Sequence, residues 1–307
     1  MEIHIKEPKQ ILTKASGYLK GYTHTLNSYA GCSFSCKYCY VREMPISKFR
    51  QSKAGWGTWV DVKKGASNLL KKELVKAKQK GPVYIFMSSS TDPYQPVEAK
   101  HFITRSLLEV MVDIQPDFLF VQTRSPLVTR DIDLFNQLKP RLLISMTIET
   151  DREKMRKIFT PKAPPIAGRF KALQELKEVG LPTQVAISPV LPSSDSFAEK
   201  LSSVVDRICI DDYFMGDGSE GKRTKRLGIQ EIYEKENLHE WYDPSAYLRV
   251  KKGLEKHYTE DQIFVSQDGF LPITSHNHEN GIFPENNKKK EREEKLFLHA
   301  SFQDANR

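Results

Sequence analysis

The chain has 307 residues, of which 39% are hydrophobic, 28% are charged and only four are cysteines. This composition excludes a small disulfide-stapled domain and a fully disordered chain, because enough apolar residues are present to fill a globular core. The formal net charge of +8 is compatible with a polyanionic partner such as nucleic acid. No segment approaches the length of a membrane span, and residues 1–6 lack the apolar run of an export signal. We therefore predict a cytoplasmic protein with no membrane partner.

The first predicted element is a strand over residues 22–29, and a cysteine-rich loop follows it directly. Cys32, Cys36 and Cys39 lie within eight residues of one another. Thiolates gathered this closely select an Fe–S cluster, zinc or copper(I) over cations that prefer oxygen ligands. Spacings of three and two intervening residues allow one loop to hold three corners of a cubane cluster. The fourth iron would then be open to a substrate or cofactor.

A zinc site is the main alternative for these cysteines, with His24 or Cys209 as the fourth ligand. Structural zinc sites usually take their ligands in pairs separated by a longer arm, and neither residue stands in such an arm. Disulfide bonds are disfavoured, because a cytoplasmic chain of this length can bury a core without covalent staples.

Downstream of the loop, short apolar segments alternate with stretches of helical periodicity. The short segments are almost continuously apolar, as strands covered on both faces must be, and they lie at residues 83–87, 118–121, 141–146, 185–187 and 208–210. Apolar stripes between them predict helices over residues 70–77, 103–111 and 166–176. With the first strand, this order predicts an α/β fold built on six parallel strands. The sheet is either open and doubly wound or partly closed into a barrel.

Polar residues follow each predicted strand. In parallel α/β folds the carboxyl ends of the strands carry the chemistry. Here those ends are followed by the cysteine loop and by residues 88–94, 123–125, 145–149, 188–193 and 211–213. Each segment alone is consistent with a turn or a helix cap. Their alignment beside the cysteine loop favours a functional site at this rim.

The alternation ends near residue 215, so we predict a core domain over residues 1–215. Residues 216–240 are rich in glycine and charge and lack an apolar stripe, and the basic run at 221–226 is interpreted as a solvated loop. A helix over about residues 244–257 and a strand over 262–265 are predicted within an extension, residues 216–283, that covers the open side of the core. Residues 284–307 mix charges of both signs and are predicted to be a disordered tail.

The C-x3-C-x2-C spacing, with Tyr38 before the last cysteine, resembles the signature of the radical S-adenosylmethionine (SAM) superfamily. Other segments are similar to its spore photoproduct lyase-like branch, whose members are often labelled DNA repair photolyase homologues; they are residues 27–32, 90–98, 104–105, 123–125, 130–134 and 187–192. The resemblance spans roughly residues 20–215. It implies a partial, TIM-like (β/α)6 barrel with a C-terminal extension.

The resemblance also implies two cofactors, a [4Fe–4S] cluster and SAM. Cys32, Cys36 and Cys39 would hold the cluster, and the amino and carboxylate groups of SAM would bind its fourth iron. The implied SAM contacts lie in the cysteine loop and at three strand ends, and they are Tyr38, Tyr40, Thr91, Asp92, Arg124 and Ser145. Relatives often carry lysine where this chain has Arg124, so here a planar guanidinium group replaces a compact ammonium ion.

The reaction implied by the resemblance is reductive cleavage of SAM to methionine and a 5′-deoxyadenosyl radical, which abstracts hydrogen from a substrate. Spore photoproduct lyases carry a cysteine after the second strand that returns a hydrogen atom to the product, whereas residues 88–90 are serines here. Cys209, Tyr94 and Tyr213 are the candidate substitutes, and core packing explains each of them as well.

The implied partners are an electron donor such as flavodoxin or ferredoxin, and nucleic acid is a candidate substrate. The alternative function is a non-catalytic, zinc- or cluster-containing protein that binds nucleic acid. Iron content and SAM cleavage distinguish the two functions.

Overall fold

The computed structural model of the chain describes residues 1–44, 55–216 and 218–273. The chain divides into two compact units, Met1–Pro272 and Ile273–Arg307. The predicted tail at residues 284–307 lies outside the described residues. The predicted boundary at residue 215 and the covering role of the extension stay predictions. No helix of the described residues is long and apolar enough to cross a membrane.

The strands of the described residues form two sheets. In chain order they are β1 (Glu2–Lys6), β2 (Leu12–Lys14), β3 (His24–Leu26), β4 (Tyr29–Ala30), β5 (Trp59–Lys63), β6 (Tyr84–Met87), β7 (Phe118–Thr123), β8 (Leu142–Thr147), β9 (Thr183–Ile187), β10 (Ile208–Ile210) and β11 (Ile263–Val265).

Helices connect and cover these strands. The α-helices of the described residues are α1 (Ala66–Lys78), α2 (Glu98–His101), α3 (Ile103–Asp113), α4 (Ile132–Leu138), α5 (Glu153–Phe159), α6 (Ile166–Glu178), α7 (Phe197–Ser202), α8 (Tyr213–Gly216), α9 (Lys222–Arg226), α10 (Ile229–Lys235) and α11 (Ala246–Leu254). Short 3-10 helices lie at Gly17–Leu19, Tyr40–Glu43, Pro126–Asp131, His239–Trp241, Glu260–Gln262 and Ser266–Phe270.

The larger sheet has the strand order β11-β10-β9-β8-β7-β6-β3-β2. Its central strands, β3 and β6 to β10, are all parallel, and they are the six strands predicted from the sequence. β11 adds a further parallel strand beside β10, and β2 pairs antiparallel with β3. Because β2 and β11 are separate edges among the described strands, the sheet is a partial barrel rather than a closed one. The predicted α/β class is therefore confirmed.

An aromatic cluster fills the inner face of the larger sheet. Phe86 of β6 stacks on Phe120 of β7 with ring centroids 4.8 Å apart, and Tyr22 meets the Phe86 ring edge-on at 5.3 Å. Phe118 and Phe270 complete this buried group. Burying each large apolar side chain stabilises the fold by roughly 1.5–3 kcal/mol, so these rings hold the strands together below the rim.

The smaller sheet has the order β1-β5-β4, in which β1 is parallel and β4 antiparallel to β5. The single strand predicted over residues 22–29 is therefore wrong in part, since its end belongs to this second sheet. The reason lies at Asn27, whose side chain accepts a hydrogen bond from the Ser90 backbone N–H and donates to Ser89 Oγ. Lys63 Nζ also donates to the Asn27 carbonyl, so the chain turns here instead of extending β3.

Residues 218–240 contain more helix than the sequence predicted. The basic run forms helix α9 instead of a loop, starting after Gly221 in the left-handed conformation with φ of 78°. On α10, Ile229 and Tyr233 lie one turn apart, and both are fully buried against the cluster that includes Phe159 and Tyr213. Two apolar residues at i and i+4 were too few to mark a stripe. The helix and strand predicted after residue 240 are confirmed as α11 and β11.

Candidate functional site at the barrel rim

A cavity of about 660 Å³ lies at the carboxyl ends of the parallel strands. The cysteine loop forms one wall, and the residues that follow β6, β7, β9 and β10 contribute to the others. The lining residues that were singled out from the sequence are Cys32, Cys36, Cys39, Tyr38, Tyr40, Thr91, Asp92, Arg124 and Tyr213. The cysteine loop and the polar segments that follow the parallel strands therefore meet at one cavity.

The cysteine loop is fixed where it leaves β4. Gly31 has φ of +80°, and a Cβ atom there would lie 2.5 Å from the Trp59 carbonyl oxygen, so this position requires glycine. Buried Gln95 holds both sides of the turn: its Oε1 accepts from the Ser33 N–H at 2.9 Å, and its Nε2 donates to the Gly31 carbonyl at 3.1 Å. The smaller sheet and Gln95 thus set the position of the first cysteine.

Cys32 and Cys36 are buried, and Cys39 is partly buried. Burial, with Asp92 and Cys36 nearby, raises the pKa of Cys32 to about 12, and burial beside Cys36 raises that of Cys39 to about 12. Deprotonation therefore needs a compensating positive charge, which a bound metal centre supplies. Three thiols on one wall, with open volume in front of them, fit a cluster that keeps one corner free.

The arrangement does not favour the zinc alternative. Neither of the proposed fourth ligands lines the cavity. His24 Nδ1 is within 2.8 Å of Thr23 Oγ1, and Cys209 Sγ faces the Ser266 carbonyl at 3.5 Å.

Asp92 joins the ends of β6 and β7. Its carboxylate accepts from Thr123 Oγ1 at 2.7 Å, from the Arg124 N–H at 2.8 Å and from the Tyr94 N–H at 2.9 Å. Burial raises its pKa despite these donors. Neighbouring Thr91 also lines the cavity and donates weakly to the Tyr29 carbonyl at 3.4 Å.

A charged network backs the cavity wall at Tyr38 and Arg124. Arg124 Nη1 donates to Glu149 Oε1 at 2.6 Å and lies 3.0 Å from the Tyr38 hydroxyl, which itself donates to Glu149. From the other side, fully buried Arg169 donates to Glu149 Oε2 at 2.7 Å. Burial alone would raise the pKa of Glu149, but the two guanidinium groups hold it below its usual range. The network fixes the Arg124 side chain at the cavity.

Tyr40 and Ser145, both predicted to contact SAM, differ in placement. Tyr40 lines the cavity, and its hydroxyl donates to the Ser89 carbonyl at 3.2 Å. Ser145 does not line it. Ser145 is fully buried in the barrel wall, where Gln184 Nε2 donates to its hydroxyl at 3.2 Å. Thr147, two residues closer to the carboxyl end of β8, lines the cavity, and the SAM contact of Ser145 stays a prediction.

The three candidate hydrogen-atom donors lie in different parts of the structure. Tyr94 is fully buried outside the cavity lining, and its hydroxyl donates to Asp131 Oδ2 at 3.0 Å. Cys209 belongs to the aromatic core, where a Cβ atom on Gly269 would lie 2.3 Å from its sulfur. Packing therefore explains both. Tyr213 does line the cavity, and its hydroxyl lies 3.2 Å from the Tyr233 hydroxyl.

Several cavity residues were not identified individually from the sequence. Asp211, buried at the end of β10, accepts from the Tyr18 hydroxyl at 3.3 Å, and burial together with Asp212 raises its pKa to about 8. Ser88 has a left-handed φ of 80°, an uncommon conformation for a residue with a side chain, and its buried hydroxyl has no partner among the described residues. Both residues lie in polar segments that the sequence indicated, 88–94 and 211–213. The sequence did not predict the raised pKa of Asp211 or the left-handed backbone and buried hydroxyl of Ser88.

The chain resembles known proteins in sequence. A family model described as the radical SAM superfamily matches residues 26–199. An uncharacterized protein of Methanocaldococcus jannaschii is 34% identical over 174 residues, which cover 57% of this chain and 62% of that protein. An uncharacterized protein of Acidianus two-tailed virus is 34% identical over 173 residues, covering 54% and 56%. The chain thus spans about six-tenths of the length of these curated relatives.

The fold resembles solved structures of spore photoproduct lyase. One variant of that enzyme superposes with a TM-score of 0.61 at 12% identity, over 86% of this chain and 81% of the other. Another variant, with bound AdoMet and dinucleoside spore photoproduct, gives a TM-score of 0.58 at 13% identity over the same shares of the two chains. At this identity the likeness shows the fold alone, and it confirms the predicted partial barrel.

Proposed function

Since the chain belongs to the radical SAM superfamily, we propose that it is an enzyme that binds a [4Fe–4S] cluster through Cys32, Cys36 and Cys39 and cleaves SAM reductively. The observation that carries this proposal is the shared cavity. Three thiols, a guanidinium group and a free volume of about 660 Å³ lie together at the strand ends. When bound, the cluster and SAM would supply a 5′-deoxyadenosyl radical that abstracts hydrogen from the substrate.

Residues of the chain would orient SAM and shield the reaction. Arg124 presents its positive charge for the carboxylate of SAM, and Glu149 holds that guanidinium in place. Thr91, Asp92 and Tyr40 form the adjoining wall. The closed inner face below the rim, packed with aromatic rings, keeps water away from the reacting atoms.

The volume beyond the cysteines is assigned to the substrate. Ser88, Asp211 and Tyr213 line it, and Tyr213 is the proposed source of any hydrogen atom returned to the product. Burial keeps the pKa of Tyr213 well above its usual value, so the phenol retains its hydrogen. A nucleic-acid substrate is supported by the net charge of +8 and by two further cations that line the cavity besides Arg124, namely Lys14 and Arg223. The reductant would be a flavodoxin or a ferredoxin.

Iron analysis and SAM turnover test the proposal. Protein purified without oxygen is expected to hold about four irons per chain and, once reduced, to release 5′-deoxyadenosine from SAM. Alanine at Cys32, Cys36 or Cys39 should abolish both properties. Cys209→Ala is the matched control, because this fourth cysteine lies outside the cavity lining and should keep iron and turnover.

Two outcomes would refute the proposal. One is wild-type protein that contains zinc and no iron, which would favour the non-catalytic function. The other is a Cys36→Ala variant that forms 5′-deoxyadenosine as fast as the wild type.

A further inference from the structure

β1 is an exposed edge strand. All five of its residues, Glu2–Lys6, are exposed, and among the described strands it pairs only with β5. Ile3 and Ile5 are 44% and 52% exposed, which places them among the few large hydrophobic side chains of the described residues that face solvent. An exposed apolar edge of this kind is a template for pairing with another strand.

One side of the β1 backbone has no neighbouring strand among the described residues. The Glu2 N–H donates to the Thr58 carbonyl at 2.7 Å, and the Lys6 carbonyl accepts from the Lys64 N–H at 2.9 Å. In a ladder, the backbone groups of successive residues point to opposite sides of the strand. Those of Glu2, His4 and Lys6 therefore face β5, and those of Ile3 and Ile5 point away from it.

We propose that β1 pairs antiparallel with β1 of a second copy of this chain, about a two-fold axis at His4. In this register Glu2 lies opposite Lys6 of the other copy, and Ile3 lies opposite Ile5. The outward N–H and C=O groups of the two isoleucines then meet as hydrogen-bonded pairs. The same patch on both copies is self-complementary, as a two-fold interface requires.

Charge selects this register over its neighbours. Shifting the axis to Ile5 would place Lys6 opposite His4, and shifting it to Ile3 would replace both Glu–Lys pairs by Glu–His pairs. Glu2 and Lys6 already contact His4 and Asp61 at 3.4 and 3.2 Å, but Glu2, His4 and Lys6 are about half exposed or more. The Glu2–His4 pair is exposed and contributes little, so the Glu2 carboxylate can turn to the second copy at small cost. Lys6 is half exposed, so it can meet that carboxylate without leaving Asp61, which is buried.

The pairing would join the two smaller sheets into one sheet with the order β4-β5-β1-β1-β5-β4. β4 leads directly into the cysteine loop at Gly31, so both loops would be attached to the same continuous sheet. The inference does not depend on the proposed reaction, because it concerns a surface away from the cavity lining.

Sedimentation equilibrium of the full chain tests the pairing. The wild type should reach twice the 35.3 kDa mass of one chain as its concentration rises. Glu2→Lys and Lys6→Glu should each raise the dissociation constant by about tenfold, because two attractive cross-strand pairs become repulsive. An equimolar mixture of these two variants, and the double variant alone, should both recover the dimer.

Lys9→Glu is the matched control, since it makes the same charge change at an exposed position outside β1 and should leave the dimer intact. A wild type that stays monomeric into the sub-millimolar range would overturn the proposal. So would a dimer that neither charge reversal weakens, because its interface would then lie elsewhere.

Discussion

At the scale of single residues, Asp211 shows how burial changes a carboxyl group at the cavity. It directly follows β10 and is 3% exposed. Its carboxyl group lies 3.3 Å from the Tyr18 hydroxyl and 3.5 Å from the Ser188 hydroxyl. With Asp212 beside it, burial raises its pKa to about 8, so it is largely uncharged at neutral pH. A neutral carboxyl group can both donate and accept a hydrogen bond, which suits recognition of a neutral polar group on a substrate.

This shift predicts a pH dependence of stability. The unfolded state ionises near pH 3.9, whereas folded Asp211 stays protonated up to about pH 8, so its contribution lowers the free energy of unfolding as pH rises between these values. The difference in free energy of unfolding between Asp211→Asn and the wild type should therefore increase in favour of the variant by about 1 to 4 kcal/mol from pH 5 to pH 8. Urea denaturation of the metal-free protein at both pH values measures this. A difference that does not change with pH would contradict it, and exposed Asp195→Asn controls for the loss of a carboxylate.

Residue roles were predictable from the sequence only where they depend on neighbours in the chain. The cysteine spacing is local, so the loop was identified directly. Asp211 and Glu149 accept hydrogen bonds from Tyr18 and Arg169, which are 193 and 20 residues away. No short motif records such pairings. Which residue of β8 lines the cavity likewise depends on how the strand is placed in the barrel, and it is Thr147 rather than Ser145.

At the scale of elements, Glu149 connects parts of the barrel that carry the site. The segment after β8 supplies Glu149 itself, the cysteine loop supplies Tyr38, β7 leads into Arg124, and α6 supplies Arg169. Glu149 is 2% exposed, and its negative charge balances the positive charges of Arg124 and Arg169. A buried carboxylate between two buried cations costs much more to remove than an exposed ion pair.

Glu149→Gln is expected to destabilise the fold by about 3–5 kcal/mol, because fully buried Arg169 and partly buried Arg124 lose their counter-charge. It should also weaken SAM binding, since Arg124 would no longer be held at the cavity. Denaturant unfolding and calorimetric titration with SAM measure the two effects. Glu175→Gln, which breaks an exposed pair with Lys171 on the same helix, should change stability by less than about 1 kcal/mol. Equal effects of the two changes would contradict this role.

Strands and helices were predictable from the sequence where several apolar residues form a continuous run or a periodic stripe. Five of the six core strands, β6 to β10, contain apolar runs because they are covered on both faces, and these five were identified, whereas β3 was only partly placed. The smaller sheet was missed, since β1 and β5 alternate in polarity over only five residues each and pair across more than fifty residues of chain. α10 was missed because its buried side is limited to Ile229 and Tyr233.

At the scale of the whole molecule, positive charge gathers near the mouth of the cavity. Helix α9 carries the basic run Lys222–Arg226, and its Arg223 lines the cavity. Arg226 binds Glu43 at 3.0 Å, so α9 lies beside the segment that follows the cysteine loop. Lys222 and Lys225 are exposed on the same helix. A polyanion steered by the net charge of +8 would therefore meet these cations next to the proposed site.

Salt dependence distinguishes this surface from a general attraction between a basic protein and nucleic acid. Affinity for a single-stranded oligonucleotide should fall with rising salt, and the double variant Lys222→Ala/Lys225→Ala should weaken binding while reducing the slope of log K against log salt by about 1.4, for two lost phosphate contacts. Lys71→Ala/Lys72→Ala removes the same charge from exposed positions on α1 and should leave the slope nearly unchanged. Fluorescence anisotropy over a range of salt concentrations measures both. If the α1 variant lowered the slope as much as the α9 variant, net charge alone would explain binding, and the rim would have no special part in it.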